Sequence, residues 1–560
     1  MSFSLASFEP RPSEWFTDNV TYEGPGSADF TSPIGSAIGP FTASFDQRGE
    51  QVVRAVCEGI SCDPEYDGPT MMFLAGSKVQ VQGNQKSWGF GGLDNPCSGL
   101  QFETPEGTFS ATCVSLIGFN AQIIVARTED VKPMVLRFHL TEGKFETKNS
   151  NAPKFFVLPL LNCVAERGNT LLGSHPLRIY PTPAVPETLP DKEKFMAQLT
   201  ANKRNAVVAF LLKGRICFIE ALPDYEERKS LLENGAQRLI TAVLVGELAG
   251  EPVNTLSEFR SWFPTEVLSA LGFASGVDVG CPWVEVRDEY GALILRLHGK
   301  PWLTLYDDGD VSLEAMDAAP NSGIGEFLTR YLECSPEKRA YLEAAMNHAR
   351  IGSLGSMTRL YDNLDHLIRA LECLCRAHGF MQIDLLPKLS SSVQDQVKLL
   401  LAKGVGGLQS LIAAAQQAQS LDDARLLATI QSRVANAGGT EQKFGLSVVA
   451  LLEKFGLGDA AIIDAHFIAN PRPDGVRDWA SVVTSYRGAT IHEGYMDFGK
   501  KHDAADVIRI CRHLKDVLTR LIFRDIGYGG TYESVLRGSY GPQPLDWVQA
   551  STPAKHLRFS

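Results

Sequence analysis

The chain has no Cys-x-x-Cys pair and no cysteines and histidines at zinc-finger spacing; its 11 cysteines are scattered from Cys57 to Cys511. That usage excludes a disulfide-stapled secreted scaffold and a small zinc module, and it fits reduced thiols in a cytoplasm. Cys373 and Cys375 stand two apart in a helical segment and therefore point to different sides, which argues against a shared metal site. The N-terminal MSFSLASFEPRPSEWF shows acid and proline where a secretory leader would carry a basic and then an apolar run. No apolar stretch reaches the length of a membrane span, so a soluble cytoplasmic protein with no membrane contact is expected. Repeats and low-complexity tracts are missing, as are nucleophile-elbow, Walker and dinucleotide motifs. The glycine cluster WGFGGLDN at Trp88 lacks a following Lys-Ser/Thr and reads as a turn. His492-Glu493 has no second histidine at the spacing of a zinc protease. No cofactor and no metal ion are expected. Positive charge is also short: the net charge of −12 leaves nucleic acid only a local basic patch to bind.

What is present is a globular composition, 44% hydrophobic and 21% charged over 560 residues, enough for several domains. The expected fold class is α+β multidomain. Residues 1–164 form a β-rich N-terminal domain, sandwich or barrel-like, carried by QVVRAV from Gln51, TMMFLAGSKVQVQG from Thr70, NAQIIVART from Asn120 and PMVLRFHLTEGKFETK from Pro133. Residues 165–330 form an α+β middle domain, entered through a stiff strap with prolines at 176, 181, 183, 186 and 190. It should contain a hairpin turning at Lys213-Gly214, a helix broken at Pro264, and a turn at Tyr290-Gly291 that follows Arg287 and Asp288. Asp307, Asp308 and Asp310 read as a solvated hairpin tip in preference to a cation site. From Ser335 strand signals give way to helical ones, so residues 331–560 are an all-α bundle. Leu360, Leu364, Leu367, Leu371 and Leu374 make one stripe ending at Gly379. A helix opens at Ser420, another runs from about Gln442 to Phe455, and Val507, Cys511, Leu514, Leu518 and Leu521 form the seam of the last.

Within that bundle lies WASVVTSYRGATIHEGYMD, residues 479–497. Arg487 offers a planar permanent cation suited to phosphate, and His492 a side chain that exchanges protons near neutrality. A spacing this loose also arises by chance, so its place in the bundle matters. Five residues put the two side chains about 140° apart on an ideal helix, off a common face. Either the helix gives way between them, which Gly488 permits, or copies of the motif from two protomers complete one site. Lys500, Lys501, Arg509 and Arg512 are candidate phosphate contacts, with a solvated helix face as the alternative. Tyr486 is a candidate base-stacking residue, with packing as its alternative. His502 and His513 read as surface or capping residues.

A helical bundle with R-x-x-x-x-H on its penultimate helix, preceded by a long helix carrying Glu372 in ALECL and closed by a long helix, resembles a HEPN domain. The tail LTRLIFRDIGYGGTYESVL after RGATIHEG, with FFVLPLLN upstream, is similar to the ApeA-type HEPN proteins of bacterial antiphage defence. The resemblance implies a metal-independent endoribonuclease that works as a homodimer through the C-terminal helical domain. Its substrate would be RNA, tRNA among the candidates, and a phage-derived trigger would act at the N-terminal sensor region. In that reading His492 is the general acid or base and Arg487 holds the phosphate. Gly488 departs from the polar residue that many members carry after the arginine. The competing readings are a non-catalytic HEPN module that dimerises or binds RNA, and a β-rich region that binds carbohydrate or peptide.

Overall fold

The computed structural model describes residues 15–30, 34–45, 51–57, 59–62, 97–120, 134–163, 193, 197, 207–234, 236, 238–276, 279–302, 323–352, 360–384, 390–418, 421–435, 439–441, 444–457, 486–487, 504–532, 534 and 543–546. The strap prolines, the Thr70 strand, the Trp88 glycine cluster and the Asp307 tip lie outside them, as does most of the strand expected from Asn120. The chain divides into two compact units, with the main break between Ser335 and Pro336; residues 526–533 and 541–543 belong to the first.

The first unit is built on one antiparallel sheet. Seven strands come from its N-terminal part: β1 (Val20–Phe30), β2 (Ile34–Phe45), β3 (Gln51–Cys57), β4 (Gly59–Cys62), β5 (Cys97–Glu103), β6 (Gly107–Asn120) and β7 (Met134–Thr147). They run in the order β3-β2-β1-β5-β6-β7, and β7 pairs back onto β3, so six strands close into a barrel. Alternation along the strands fills its interior with side chains. Val20, Tyr22 and Ala28 point inward from β1, Phe41, Ala43 and Phe45 from β2, and Phe102, Phe109 and Phe145 join them. Closure leaves no free edge on this ring, which is how antiparallel strands avoid pairing with other chains.

The long strand β7 is shared. Its first half, Met134 to His139, pairs with β3, while Glu142 to Glu146 pairs with a strand of the following sheet. That sheet comprises β8 (Phe155–Leu161), β9 (Val207–Leu212), β10 (Arg215–Ala221), β11 (Ile240–Glu247), β12 (Cys281–Arg287) and β13 (Leu293–Trp302), in the order β13-β12-β8-β11-β10-β9 from β7 outward. The boundary expected near residue 164 is thus crossed by hydrogen bonds: β8 pairs with both β11 and β12. Lys213 and Gly214 both have positive φ, the backbone of a two-residue hairpin with the twist its flanking strands need. Gly291 likewise turns β12 into β13.

Four helices accompany this sheet: α1 (Tyr225–Glu233), α2 (Leu256–Trp262), α3 (Glu266–Ser275) and α4 (Gly323–Glu333). The Thr255 hydroxyl caps α2 by accepting from the Glu258 amide at 3.1 Å, and Pro264, lacking an N–H, separates α2 from α3. Phe156 of β8 packs edge-on against Phe259, Trp262 and Phe263. A Cβ on Gly246 would sit 2.4 Å from the Phe156 ring and 2.8 Å from Cys217 Sγ. Gly246→Ala should therefore lower stability by about 1–3 kcal/mol through overpacking, measurable as a drop in thermal midpoint; an unchanged midpoint would show that Phe156 can yield.

A buried charge network joins the barrel to the sheet. Glu285 on β12, 0% exposed, accepts from Arg296 Nε and Nη2 at 2.9 and 2.8 Å and from Arg287 Nε and Nη2 at 2.8 and 2.6 Å. Arg296 Nη1 then donates to the Tyr22 hydroxyl at 2.9 Å, which lies 3.0 Å from His298 Nε2. The other ring nitrogen of His298, Nδ1, is buried with no hydrogen-bond partner. Asp288, expected only as a residue before the turn, is buried and receives the Tyr290 and Ala292 amides.

The second unit is helical: α5 (Pro336–Ile351), α6 (Leu360–Ala377), α7 (Ser391–Gln417), α8 (Leu421–Ala435), α9 (Phe444–Lys454) and α10 (Ala504–Ile526), all but the last residue of α10 within it. Two short strands, β14 (Gln382–Asp384) and β15 (Gly439–Glu441), pair antiparallel, a small exception to the helical reading. The stripe of α6 is buried as expected from Leu364 to Leu374, and Gly379, at φ 73°, ends it with Phe380 N–H donating to the Cys375 carbonyl at 2.8 Å. Helix α7 was not signalled by caps or by an unbroken apolar run. It is nevertheless long and apolar enough to cross a membrane, contrary to the expectation that no stretch is, because Lys398, Lys403 and the glycines only dilute its apolar character.

Helix α10 differs from its reading too. The seam at Val507, Leu514, Leu518 and Leu521 is buried, but so are His513, Lys515, Asp516 and Arg520. Its middle is enclosed on every side, and His513 is neither a surface nor a capping residue. At its end the Asp525 carboxylate collects Lys338 Nζ at 3.0 Å, the Tyr341 hydroxyl at 3.0 Å and His378 Nε2 at 2.8 Å. The other imidazole nitrogen, Nδ1, lies 2.6 Å from Lys454 Nζ. Since an ammonium only donates, Nδ1 accepts and Nε2 carries the proton given to Asp525.

Candidate functional site

The site forms where three segments of the helical unit meet. Helix α6 buries Leu367, Ile368, Leu371 and Leu374 against the bundle, which leaves Glu372 on its flank. Helix α9 buries Val448, Leu451 and Leu452 and brings the Phe444 ring to its first turn. The Ser447 hydroxyl fixes α9 against the end of α6 by donating to the Phe380 carbonyl at 2.8 Å. The third segment is the helical pair Tyr486-Arg487.

Arg487 Nε donates to Glu372 Oε1 at 2.5 Å, and the guanidinium carbon lies 5.1 Å from the centre of the Phe444 ring. The two charged side chains are 21% and 14% exposed, so the pair is partly withdrawn from water, where such a hydrogen bond is strong and directional. An aromatic face below and a carboxylate beside the guanidinium fix its plane. A cation held in one orientation suits recognition of a tetrahedral anion such as phosphate.

The sequence candidates separate as follows. Arg487 and Glu372 are brought together. Tyr486 is buried, in keeping with the packing alternative. Arg512 is exposed on α10, and Arg509 lies one turn before it on the same helix. Arg520, further along α10, is buried and paired with Asp516 at 2.5 Å, so it offers no cation to solvent. His492, Lys500 and Lys501, with Gly488, lie outside the described residues. Cys375 is buried and its thiol is pushed up to about 12 by burial, while Cys373 is half-buried and raised for the same reason, so neither offers a thiolate. Among the described residues no group of three potential metal ligands is gathered. Phe444 had no signal in the sequence: its role depends on Glu372 and Arg487, which are 115 residues apart.

No protein-family model matches this chain, and no curated protein or solved structure does.

Proposed function

We propose that this chain is a metal-independent endoribonuclease of the R-x-x-x-x-H type that acts in antiphage defence, in the cytoplasm, with the β-rich N-terminal region as sensor or regulator. The observation that supports it is the docking of Arg487 onto Glu372 and Phe444, two residues that nothing in the local sequence ties to the motif. It gives the arginine of the motif a fixed orientation. In the reaction the ribose 2′-oxygen attacks the adjacent phosphorus as its proton leaves to a base. The bond from phosphorus to the 5′-oxygen breaks, that oxygen takes a proton, and the products are a 2′,3′-cyclic phosphate and a 5′-hydroxyl. His492 serves as the acid or base, Arg487 stabilises the charge on the non-bridging oxygens, and Glu372 positions Arg487. Lys500, Lys501 and Arg512 supply backbone contacts, and two protomers contribute to one cleft through the helical domain.

The same pair favours a second reading, a non-catalytic RNA-binding or dimerisation module, because the carboxylate of Glu372 already occupies one edge of the guanidinium. One experiment separates the two. Purified protein is incubated with total RNA in chelator, and the termini of the fragments are determined. We expect fragments with cyclic-phosphate ends, lost by about 10²–10⁴-fold in His492→Ala and at least as strongly in Arg487→Ala. Glu372→Gln should reduce the rate less and mainly through kcat. Cleavage that persists unaltered in His492→Ala would overturn the nuclease reading; RNA retention without cleavage in the wild type would favour the second.

A further inference from the structure

Helix α6 carries more positive charge beside Glu372 than the reaction above uses. At about 100° per residue, Asp365, Arg369, Glu372 and Arg376 fall within roughly 60° of one another and form one flank of the helix. The buried residues Leu367, Leu371 and Leu374 lie on the opposite side, so this flank is turned outward: the Arg369 side chain is 50% exposed, and Arg376 is exposed. Arg369 Nε donates to Asp365 Oδ2 at 2.6 Å, the pairing usual for residues four apart. By the same rule Arg376 would take Glu372, four residues before it. Glu372 accepts from Arg487 instead, and Arg376 has no ion pair among the described residues.

The charge of the motif arginine is therefore balanced by Glu372, and that of Arg369 by Asp365; the cation left over on the flank is Arg376. Its nearness to the others shows in the half-buried Cys373. Burial raises that thiol and Glu372 raises it further, whereas Arg376 and then Arg369 draw it back. One side chain that senses all three groups places both guanidiniums and the carboxylate along a short stretch of helix surface, about a turn apart.

An exposed guanidinium without a counter-charge, one turn from the carboxylate that orients Arg487, suits an anion long enough to reach both arginines. A phosphodiester chain is such an anion, and a stacked strand spaces its charges by roughly 3.4 Å. Glu372 and Arg376 are about 6 Å apart along the helix axis, within two of those steps. We propose that Arg376 is a substrate-contacting residue: the RNA backbone crosses the Glu372–Arg376 turn of α6, and Arg376 takes a phosphate one or two nucleotides from the phosphate that faces Arg487. The assignment rests on the reading of this site as one for RNA and divides its labour. Arg487, compensated by Glu372, supplies orientation, and Arg376 supplies the net attraction that a chain of net charge −12 needs locally. A contact to phosphate positions the strand and carries no sequence information.

Fluorescence anisotropy tests it, on the full chain carrying His492→Ala so that the RNA stays intact, with an end-labelled oligouridine and a single-stranded RNA of mixed sequence over a salt series. Adding Arg376→Ala should raise Kd about tenfold for both RNAs and lessen the slope of log affinity against log salt by about 0.7–1. Arg376→Lys, which keeps a point charge, should restore most of both, and Arg376→Glu should weaken binding further. Because the side chain is exposed and unpaired, the thermal midpoint should hold in all three, which separates lost binding from lost fold. Wild-type affinity and slope in Arg376→Ala and Arg376→Glu, a loss in Arg376→Lys as large as in Arg376→Ala, or a chain that holds neither RNA overturns the proposal. Cleavage by the wild type is scored separately. Fragments formed while the Arg376 variants bind unchanged would overturn this assignment and leave the nuclease reading standing; a salt-dependent loss at Arg376 in a chain that never cuts would do the reverse.

Discussion

Glu285→Gln should destabilise the β-rich unit by about 3–5 kcal/mol, the cost of removing one partner from a buried ion pair. Glu285 is the common acceptor of Arg287 and Arg296, and its side chain is fully enclosed. The neutral amide would leave both guanidinium groups buried without a counter-charge. For a domain whose net stability is typically about 5–15 kcal/mol, the loss is large enough to show as a midpoint shift in urea. Substituting Glu285 and Arg296 together by apolar residues should cost less than the sum of the two single changes, because the second removes a charge that the first had stranded. A single variant within about 1 kcal/mol of the wild type would mean that water reaches the arginines.

The same network sets a pH dependence. Burial by itself would raise the Glu285 pKa, but Arg296 and then Arg287 outweigh it and hold the carboxyl at about 2. A folded-state pKa below the unfolded value of about 4.3 contributes stability that is complete above that value and disappears as pH falls toward about 2. His298 acts earlier. Burial, and then Arg296, hold its pKa well below the ordinary histidine value, so the folded state resists the proton that the unfolded chain accepts. Stability should therefore start to fall below about pH 6.5 and fall again below about pH 4.3. In Glu285→Gln the second decline should flatten while the first persists, which thermal melts across that range would show.

Asp525→Ala should be comparably severe in the helical unit, again about 3–5 kcal/mol. The carboxylate is shared by Lys338 and Tyr341 of α5 and by His378 just beyond α6, so its loss unties two helices from the end of α10. Burial would raise its pKa, but the hydrogen bonds from His378 and Lys338 win, and the carboxyl is held below its ordinary value. Its contribution is thus full above about pH 4 and is lost as acid protonates it. Amide hydrogen exchange is the suitable measurement because it assigns the loss to a unit: protection should fall in α5 and α10 and hold in the barrel. Lys454→Met, which removes only the outer ammonium from His378, should cost much less. Equal effects of the two substitutions would contradict this hierarchy.

The elements legible in the sequence are those written in local chemistry. The Lys213-Gly214 hairpin, the break at Pro264 and the stop at Gly379 each follow from the conformational habits of one or two residues. The barrel closure was not legible, because pairing β3 with β7 joins segments about eighty residues apart and no local preference encodes it. Helix α7 escaped because Gly404, Gly406 and Gly407 weaken its helical signal. On α10 the apolar seam was read correctly, but the burial of His513 and Arg520 depends on what surrounds the helix. At the site, Arg487 was named for its charge beside His492 and Glu372 through a family resemblance, and their contact is a tertiary fact. Phe444 is an ordinary core aromatic until the guanidinium is placed over it.

Strand β7 has a consequence for how the first unit can vary. Because one half of it closes the ring and the other half carries the adjoining sheet, an insertion or deletion of a single residue between His139 and Glu142 would turn inward-facing side chains outward in one of the two partnerships, whichever half kept its register. A cut near residue 164 would fare no better, since it removes β13 and bares the Glu142–Glu146 edge to any passing strand. The ring is thus not a cassette that can be lifted out and exchanged; length changes should be tolerated in the loops between strands and excluded from this one.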